Sequence, residues 1–316
     1  MAKIKVLHDK LFLISLSINS WDGWKFDKKV SAKVNNDFHA SSTASRVNKR
    51  LFPQEAIKPL IRVRNSARTF VYDQTSPFSD GLNGWRVCGA GNVWNIVSEL
   101  RIHQEQFYNE RDEFITRYCE FVKTANQWLG DLFDSTDYPV LSSDGGTLKA
   151  RFGFSWQTMP LPNPAELASR DGLRNVLAEN ADEIISGMVD SANAMAQNAA
   201  DSLRSDMIKR IAETVGHMSE RLDSYEIKAN KKTGKDTVEK PFRDSLVGNI
   251  KDLAGIVVAN NATEDPVLSG LADKMTKILC KYEPETLRLS VEAREKTSQA
   301  AKKIISDSPE LSAFFS

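Results

Sequence analysis

The sequence predicts an α+β fold, predominantly α-helical, with a small antiparallel sheet in the N-terminal half and a helical C-terminal half. Residues 11–34 and 148–156 alternate apolar and polar side chains with period two, the signature of strands. Residues 92–129 and 185–222 step their apolar side chains by three and four, the signature of amphipathic helices. After the extended connector Met159-Pro160-Leu161-Pro162-Asn163-Pro164 the composition shifts to helix formers. The expected organisation is an α+β domain over 1–164 and a helical domain over 165–316, within reach of one continuous fold.

The opening strands come first. Phe12, Ile14, Leu16 and Ile18 alternate with Leu13, Ser15 and Ser17, and Trp24, Phe26, Val30 and Ala32 alternate with Lys25, Asp27, Lys29, Ser31 and Lys33. A three-residue Trp21-Asp22-Gly23 loop with Gly23 left-handed sets Ile18 opposite Phe26, Ile14 opposite Val30 and Phe12 opposite Ala32. A two-residue loop would put the apolar sets on opposite faces. The favoured register leaves Lys25, Lys29 and Lys33 on a basic face, with Trp21 and Trp24 near its tip. The strand near 148–156, with Leu148, Ala150, Phe152, Phe154 and Trp156 on one side, completes the sheet and adds Lys149 and Arg151 to that face.

Residues 35–45 read as a polar loop and 45–51 as one helical turn. A helix over 57–72 places Arg64, Arg68 and Tyr72 at i, i+4 and i+8 on one face. Residues 73–91 are rich in Gly, Ser, Pro and Asp and read as a loop, whose glycines lack the Lys-Ser/Thr that completes a phosphate loop. Trp85-Arg86 reads as a plug of a core edge, with base stacking as the alternative. In the helix over 92–129, Phe107, Phe114, Tyr118 and Phe121 form a core stripe and Gly130 is the stop. The seam over 185–222 would run roughly 57 Å at 1.5 Å per residue, with an interruption around 204–207. Stretches 242–258, 265–281 and 284–305 supply its antiparallel partners. Residues 227–240 read as a mobile polar connection in which Thr233-Gly234-Lys235 lacks the upstream glycine of a nucleotide loop. Residues 307–316 read as a frayed tail.

Of the 316 residues, 41% are hydrophobic and 27% charged, which is ordinary for a soluble globular chain. No apolar run approaches a membrane span. Cys88, Cys119 and Cys280 are isolated, so neither a disulfide framework nor a zinc site is expected, and a reducing, cytoplasmic location fits. The zero net charge hides an asymmetry: residues 1–72 hold 14 Lys and Arg against 5 Asp and Glu, a net of +9 that the remainder balances with −9. A basic region of this kind points to a polyanion.

Catalytic motifs are absent: there is no HExxH, G-x-S-x-G, Walker loop or CxxC, so a non-enzymatic protein without metal or cofactor is expected. What stands out is cations interleaved with aromatics. Single-stranded nucleic acid is held by a positive groove along the phosphates and by rings that stack on bases. Trp21, Trp24, Lys25, Lys29, Lys33, Arg64, Arg68, Tyr72, Lys149 and Arg151 are the candidate binding residues. Duplex DNA is less favoured for want of a helix-turn-helix or zinc-finger signature.

One resemblance bears on this. A strand running into Trp21-Asp22-Gly23-Trp24-Lys25 is followed by a basic segment, a Gly-rich Trp loop, Asp137-Tyr138-Pro139 and a Lys-Ala-Arg-Phe strand, then Met159-Pro160-Leu161-Pro162 and a helical half. This order resembles the Drc-like single-stranded-DNA-binding RNA polymerase cofactors of N4-like bacteriophages. The resemblance implies a single-stranded DNA-binding protein, unlike oligonucleotide-binding barrels in fold, that serves a phage RNA polymerase at melted promoters in the host cytoplasm. Its rivals are a non-catalytic helical interaction or assembly protein, with homo-oligomerisation open, and an enzyme using carboxylates of the helical half.

Overall fold

The computed structural model describes residues 7–78, 84–142, 145–169, 180–229, 236–239 and 241–315. The Thr233-Gly234-Lys235 stretch and Gly81 lie outside the described residues. The fold is α+β and helix-dominated, as predicted. An antiparallel sheet is ordered β4-β5-β1-β6, with β1 Leu11–Asn19, β4 Ser76–Pro77, β5 Trp85–Gly89 and β6 Gly153–Pro160. Two further pairs, β2 Trp24–Phe26 with β3 Asn48–Arg50 and β7 Glu226–Ala229 with β8 Asp236–Glu239, form two-stranded ribbons. Helices α1 Lys28–Asp37, α2 Gln54–Gln74, α3 Ala90–Thr116, α4 Tyr118–Leu129, α5 Gly146–Lys149 and α6 Pro164–Ala168 intervene. The C-terminal half holds α7 Ala181–Asp223, α8 Ser245–Asn260, α9 Pro266–Lys274, α10 Pro284–Leu289, α11 Val291–Ser306 and α12 Pro309–Ser312.

The chain forms two compact units that interleave along the sequence instead of dividing once near residue 164: one from 1–14, 74–94 and 158–316, the other from 15–73 and 95–157. In the first unit, α7 is one unbroken helix of 43 residues, about 65 Å long. The expected interruption at 204–207 is instead an anchor: Met207 is fully buried, and the Arg204 guanidinium holds Asp265 at 2.5 Å and Glu310 at 3.5 Å. The expected partners form as α8 to α11, with a π-helical turn Met275–Leu279 continuing α9, and bury Ile250, Val257, Leu271, Leu279 and Ala301 in the core that holds the α7 seam. Two expectations fail here. The connection over 227–240 contains the β7–β8 ribbon, and the tail contains α12, whose Leu311 is fully buried. Residues 73–91 likewise hold strand β5: Trp85 packs on the core and Arg86 bonds Thr75, so this pair plugs a core edge.

The opening hairpin is not formed. β1 is a strand, but β2 pairs with β3, twenty-odd residues downstream, and Lys28–Asp37 is a helix. Ile18–Phe26, Ile14–Val30 and Phe12–Ala32 are therefore not partners. The Asp27 carboxylate accepts the Val30 N–H at 3.0 Å and so starts α1. The buried face of α1 is polar: Ser31 accepts from the Val47 N–H at 2.9 Å, and Asn35 binds Ser42 and Ser45. An apolar-period reading cannot see such a face. β1 pairs on both edges, with β5 and β6, and buries residues of both its faces: Leu11, Leu13 and Ile14 are fully buried while Phe12 and Leu16 are half-buried. The strand expected near 148–156 begins later, at Gly153, because Gly146–Lys149 winds into α5. The helix over 92–129 forms with one break at Arg117 and ends at Gly130, whose φ is 52°.

Gly23 is left-handed as expected, φ 66°, though not as a hairpin turn. Its carbonyl accepts the Leu51 N–H at 2.7 Å, and an added Cβ would lie 2.5 Å from Ile57 Cδ1 and 3.2 Å from Phe52. Gly23→Ala should destabilise the chain by roughly 1–3 kcal/mol through strain and clash together. A chemical denaturation midpoint equal to that of the unaltered protein would contradict this.

Candidate nucleic-acid interface

The β2–β3 ribbon sorts its side chains by the two-residue period of a strand. Its register sets Trp24 opposite Arg50, Lys25 opposite Lys49 and Phe26 opposite Asn48. Trp24 and Phe26 therefore share a face. They are 49% and 41% exposed, with the Arg50 guanidinium 4.5 Å from the Trp24 ring centre and that of Arg46 4.9 Å from Phe26. Guanidinium planes over aromatic faces are attractive through the ring quadrupole.

The other face is an ion cluster. Lys25 and Lys49 are directly opposite and would repel, but each lies 2.7 Å from a carboxylate oxygen of Asp137, and Lys49 is 3.3 Å from Asp27. Lys49 also donates to the Leu132 carbonyl at 2.7 Å. Burial by itself would lower the Lys49 pKa, yet Asp137 and Asp27 outweigh it and hold the ammonium above its ordinary value. Burial pushes Asp137 up, and the two lysines overcome that and bring it below the usual carboxylate range. Asp27 is also lowered, first by the Val30 N–H it caps and then, against burial, by Lys49.

Beside the ribbon stands the first turn of α1. Lys28, Lys29 and Lys33 are exposed, make no ion pair among the described residues, and have no acidic residue in that turn to offset them. Lys28 and Lys29, in the first turn, oppose the macrodipole at a cost of about 0.3–1 kcal/mol each. Lys29, Lys33 and Phe26 line a cleft of about 360 Å³ together with Asp131 and Asp134.

The structure disperses the rest of the predicted set. Trp21 is half-buried, edge-on to Phe52 at 5.3 Å in a cluster with Phe114, and Arg151 covers it at 4.8 Å. Arg64 binds Asp22 at 2.6 Å and Ser20 at 3.1 Å, and Arg68 donates to the Ile18 carbonyl at 3.3 Å. Arg64 pins the segment after β1, and Arg68 pins the end of β1 itself. Tyr72 is 55% exposed at the end of α2, and Lys149 is exposed on α5. The single basic face expected from the hairpin thus does not exist: Lys25 is neutralised, Trp21, Arg64, Arg68 and Arg151 serve the fold, and Trp24, Lys29 and Lys33 remain together.

Sequence reasoning missed Phe26, Arg46 and Arg50 as surface residues, and Lys49 as their support. The signal was the alternation in Val47-Asn48-Lys49-Arg50, too short to be told from a helical turn. The charge bias is also diluted by folding, since the unit built from 15–73 and 95–157 carries 17 Lys and Arg against 15 Asp and Glu, net +2. Among the described residues no group of three or more His, Cys, Asp or Glu is placed to hold a metal, and no helix is long and apolar enough to cross a membrane.

Asp137→Asn leaves the near-buried Lys49 and the exposed Lys25 with one carboxylate fewer and should cost roughly 2–4 kcal/mol at pH 7. Because both aspartates titrate below their ordinary 3.8 in the folded chain, their contribution is present above that pH and fades as pH falls through the folded values. The stability gap between the unaltered chain and Asp137→Asn should therefore narrow below about pH 3.8; a gap independent of pH from 7 to 3 would exclude this cluster as its source.

No curated protein and no solved structure matches the chain. A protein-family profile described as "Protein of unknown function (DUF3150)" matches residues 8–229, which include the ribbon, α1 and the whole of the second compact unit. With more than half of the sequence matched, the chain belongs to the DUF3150 family.

Proposed function

We propose that the protein binds single-stranded nucleic acid, and single-stranded DNA in particular, without catalysing a reaction on it. One observation carries the reading: two exposed aromatic rings lie side by side on one ribbon face, next to three exposed lysines that form no ion pair among the described residues. Residues two apart on a strand are separated by roughly 6.8 Å, a span that adjacent nucleotides of an extended strand can match. Bases would stack on Trp24 and Phe26, with Arg50 and Arg46 completing the sandwich, while Lys28, Lys29 and Lys33 meet the phosphates. Stacking contributes about 1–3 kcal/mol per base and tolerates any base, so the recognition is of single-strandedness more than of sequence. The choice of DNA, and an RNA polymerase as protein partner, come from the sequence resemblance alone.

Fluorescence anisotropy with an unstructured oligonucleotide tests the reading. Trp24→Ala and Phe26→Ala should each weaken binding about five- to a hundred-fold. Lys29→Glu/Lys33→Glu should flatten the dependence of log affinity on log salt by roughly 0.7 for each phosphate no longer neutralised. Arg64→Ala, whose partners are Asp22 and Ser20, should leave affinity within about two-fold. Full affinity in the Trp24 and Phe26 variants, or no binding by the unaltered chain, would contradict the proposal, and the latter would favour a helical assembly protein.

A further inference from the structure

A second cleft, in the unit that contains α7, has the opposite character from the mixed cleft beside the ribbon. It is about 300 Å³ and is lined by His217 and Arg221 of α7, by Arg243, and by Ser245 and Asn249 of α8, with no carboxylate in its wall among the described residues. Arg221 and Arg243 are exposed and make no ion pair among the described residues. Asp244, which follows Arg243, is bound by Arg288, which also donates to the Phe242 carbonyl at 3.1 Å. Asp244 therefore neither neutralises the cleft nor caps α8, and the first turn of α8 holds no acidic residue. His217 and Arg221 are one helical turn apart, so they stand on the same side of α7.

We infer that this cleft is a binding site for a phosphate group carried as a monoester. Two guanidiniums that no carboxylate among the described residues satisfies, lining one cleft of this volume, match the planar, multidentate recognition that arginine gives phosphate oxygens. Ser245 and Asn249 add neutral donors at the same wall, and the uncapped start of α8 adds partial positive charge. A phosphomonoester, with three free oxygens and close to two negative charges, uses this donor set more fully than a diester does. The volume admits the phosphate and a small attached group. Its source is either a free phosphorylated metabolite or the 5′-phosphate of an oligonucleotide.

Isothermal titration of the full-length chain with inorganic phosphate, and then with a nucleoside 5′-monophosphate against its nucleoside, tests the inference. Phosphate should bind, the monophosphate should bind and the nucleoside should not, and Arg221→Gln/Arg243→Gln should weaken phosphate binding at least ten-fold. Both arginines are exposed and make no ion pair among the described residues, so the double variant should keep the thermal midpoint of the unaltered chain; Arg243→Glu alone gives a second, single-site check. Lys29→Glu/Lys33→Glu should leave phosphate binding unchanged, which separates this site from the ribbon. Tighter binding of a 5′-phosphorylated oligonucleotide than of its 5′-hydroxyl twin, lost in the double variant, would identify a nucleic-acid end as the source; equal binding of the two with phosphate binding retained would identify a free metabolite. No phosphate binding at millimolar concentration, or binding that survives both arginine variants, would overturn the inference.

Discussion

Lys49 is the residue on which the proposed interface depends. Its ammonium reaches Asp137, Asp27 and the Leu132 carbonyl, and so ties together β3, the residue that caps α1 and the segment that follows α4. A lysine in that position would be costly to bury if its charge were unmet. Asp137 meets it and Lys25 at once, so one carboxylate removes the repulsion between two opposed lysines and fixes the ribbon's register. With Lys25 and Lys49 held to Asp137 on one face, strand alternation places Trp24 and Phe26 on the other. The exposed rings follow from the ion cluster beneath them.

Exposure of two large rings works against solubility and is offset only in part by the arginines over them. The lysines at the start of α1 work against the helix dipole. Neither feature helps the unit fold, whereas both suit a polyanion with flat bases. In the helical unit, by contrast, Arg204, Arg288 and Arg294 have structural uses, the last of them donating to the Leu287 and Arg288 carbonyls and covering Tyr225 at 4.6 Å. Arg221 and Arg243 stand out against that background.

The elements legible in the sequence were those whose burial is apolar and whose length is ample. α7, α3 with α4, and β1 were found because a hydrophobic stripe or alternation runs through each of them. What misled was the stretch from Lys28 to Val34, where Val30 and Ala32 alternate with lysines as a strand would, while the helix buries Ser31 and Asn35 through hydrogen bonds. β2 and β3 are three residues each, and their pairing is decided by Asp137, more than eighty residues downstream of Lys49, which no local pattern announces. Within the candidate site, composition correctly marked Trp24, Lys29 and Lys33 as a surface group. It also marked Trp21, Arg64, Arg68 and Arg151, because a cation near an aromatic reads the same whether it awaits a ligand or, like Arg151 on Trp21, already has its partner.

The most direct test of this division is to map the bound strand itself. Ultraviolet crosslinking of a single-stranded oligonucleotide to the full-length protein, followed by mass spectrometry of the crosslinked peptides, reports which rings and cations touch it. Crosslinks are expected at Trp24 and Phe26 and in the peptide holding Arg46 and Arg50, with none at Trp21. Crosslinks confined to Trp21, or to the α2 face with Arg64, Arg68 and Tyr72, would show that the ribbon face is not the binding surface.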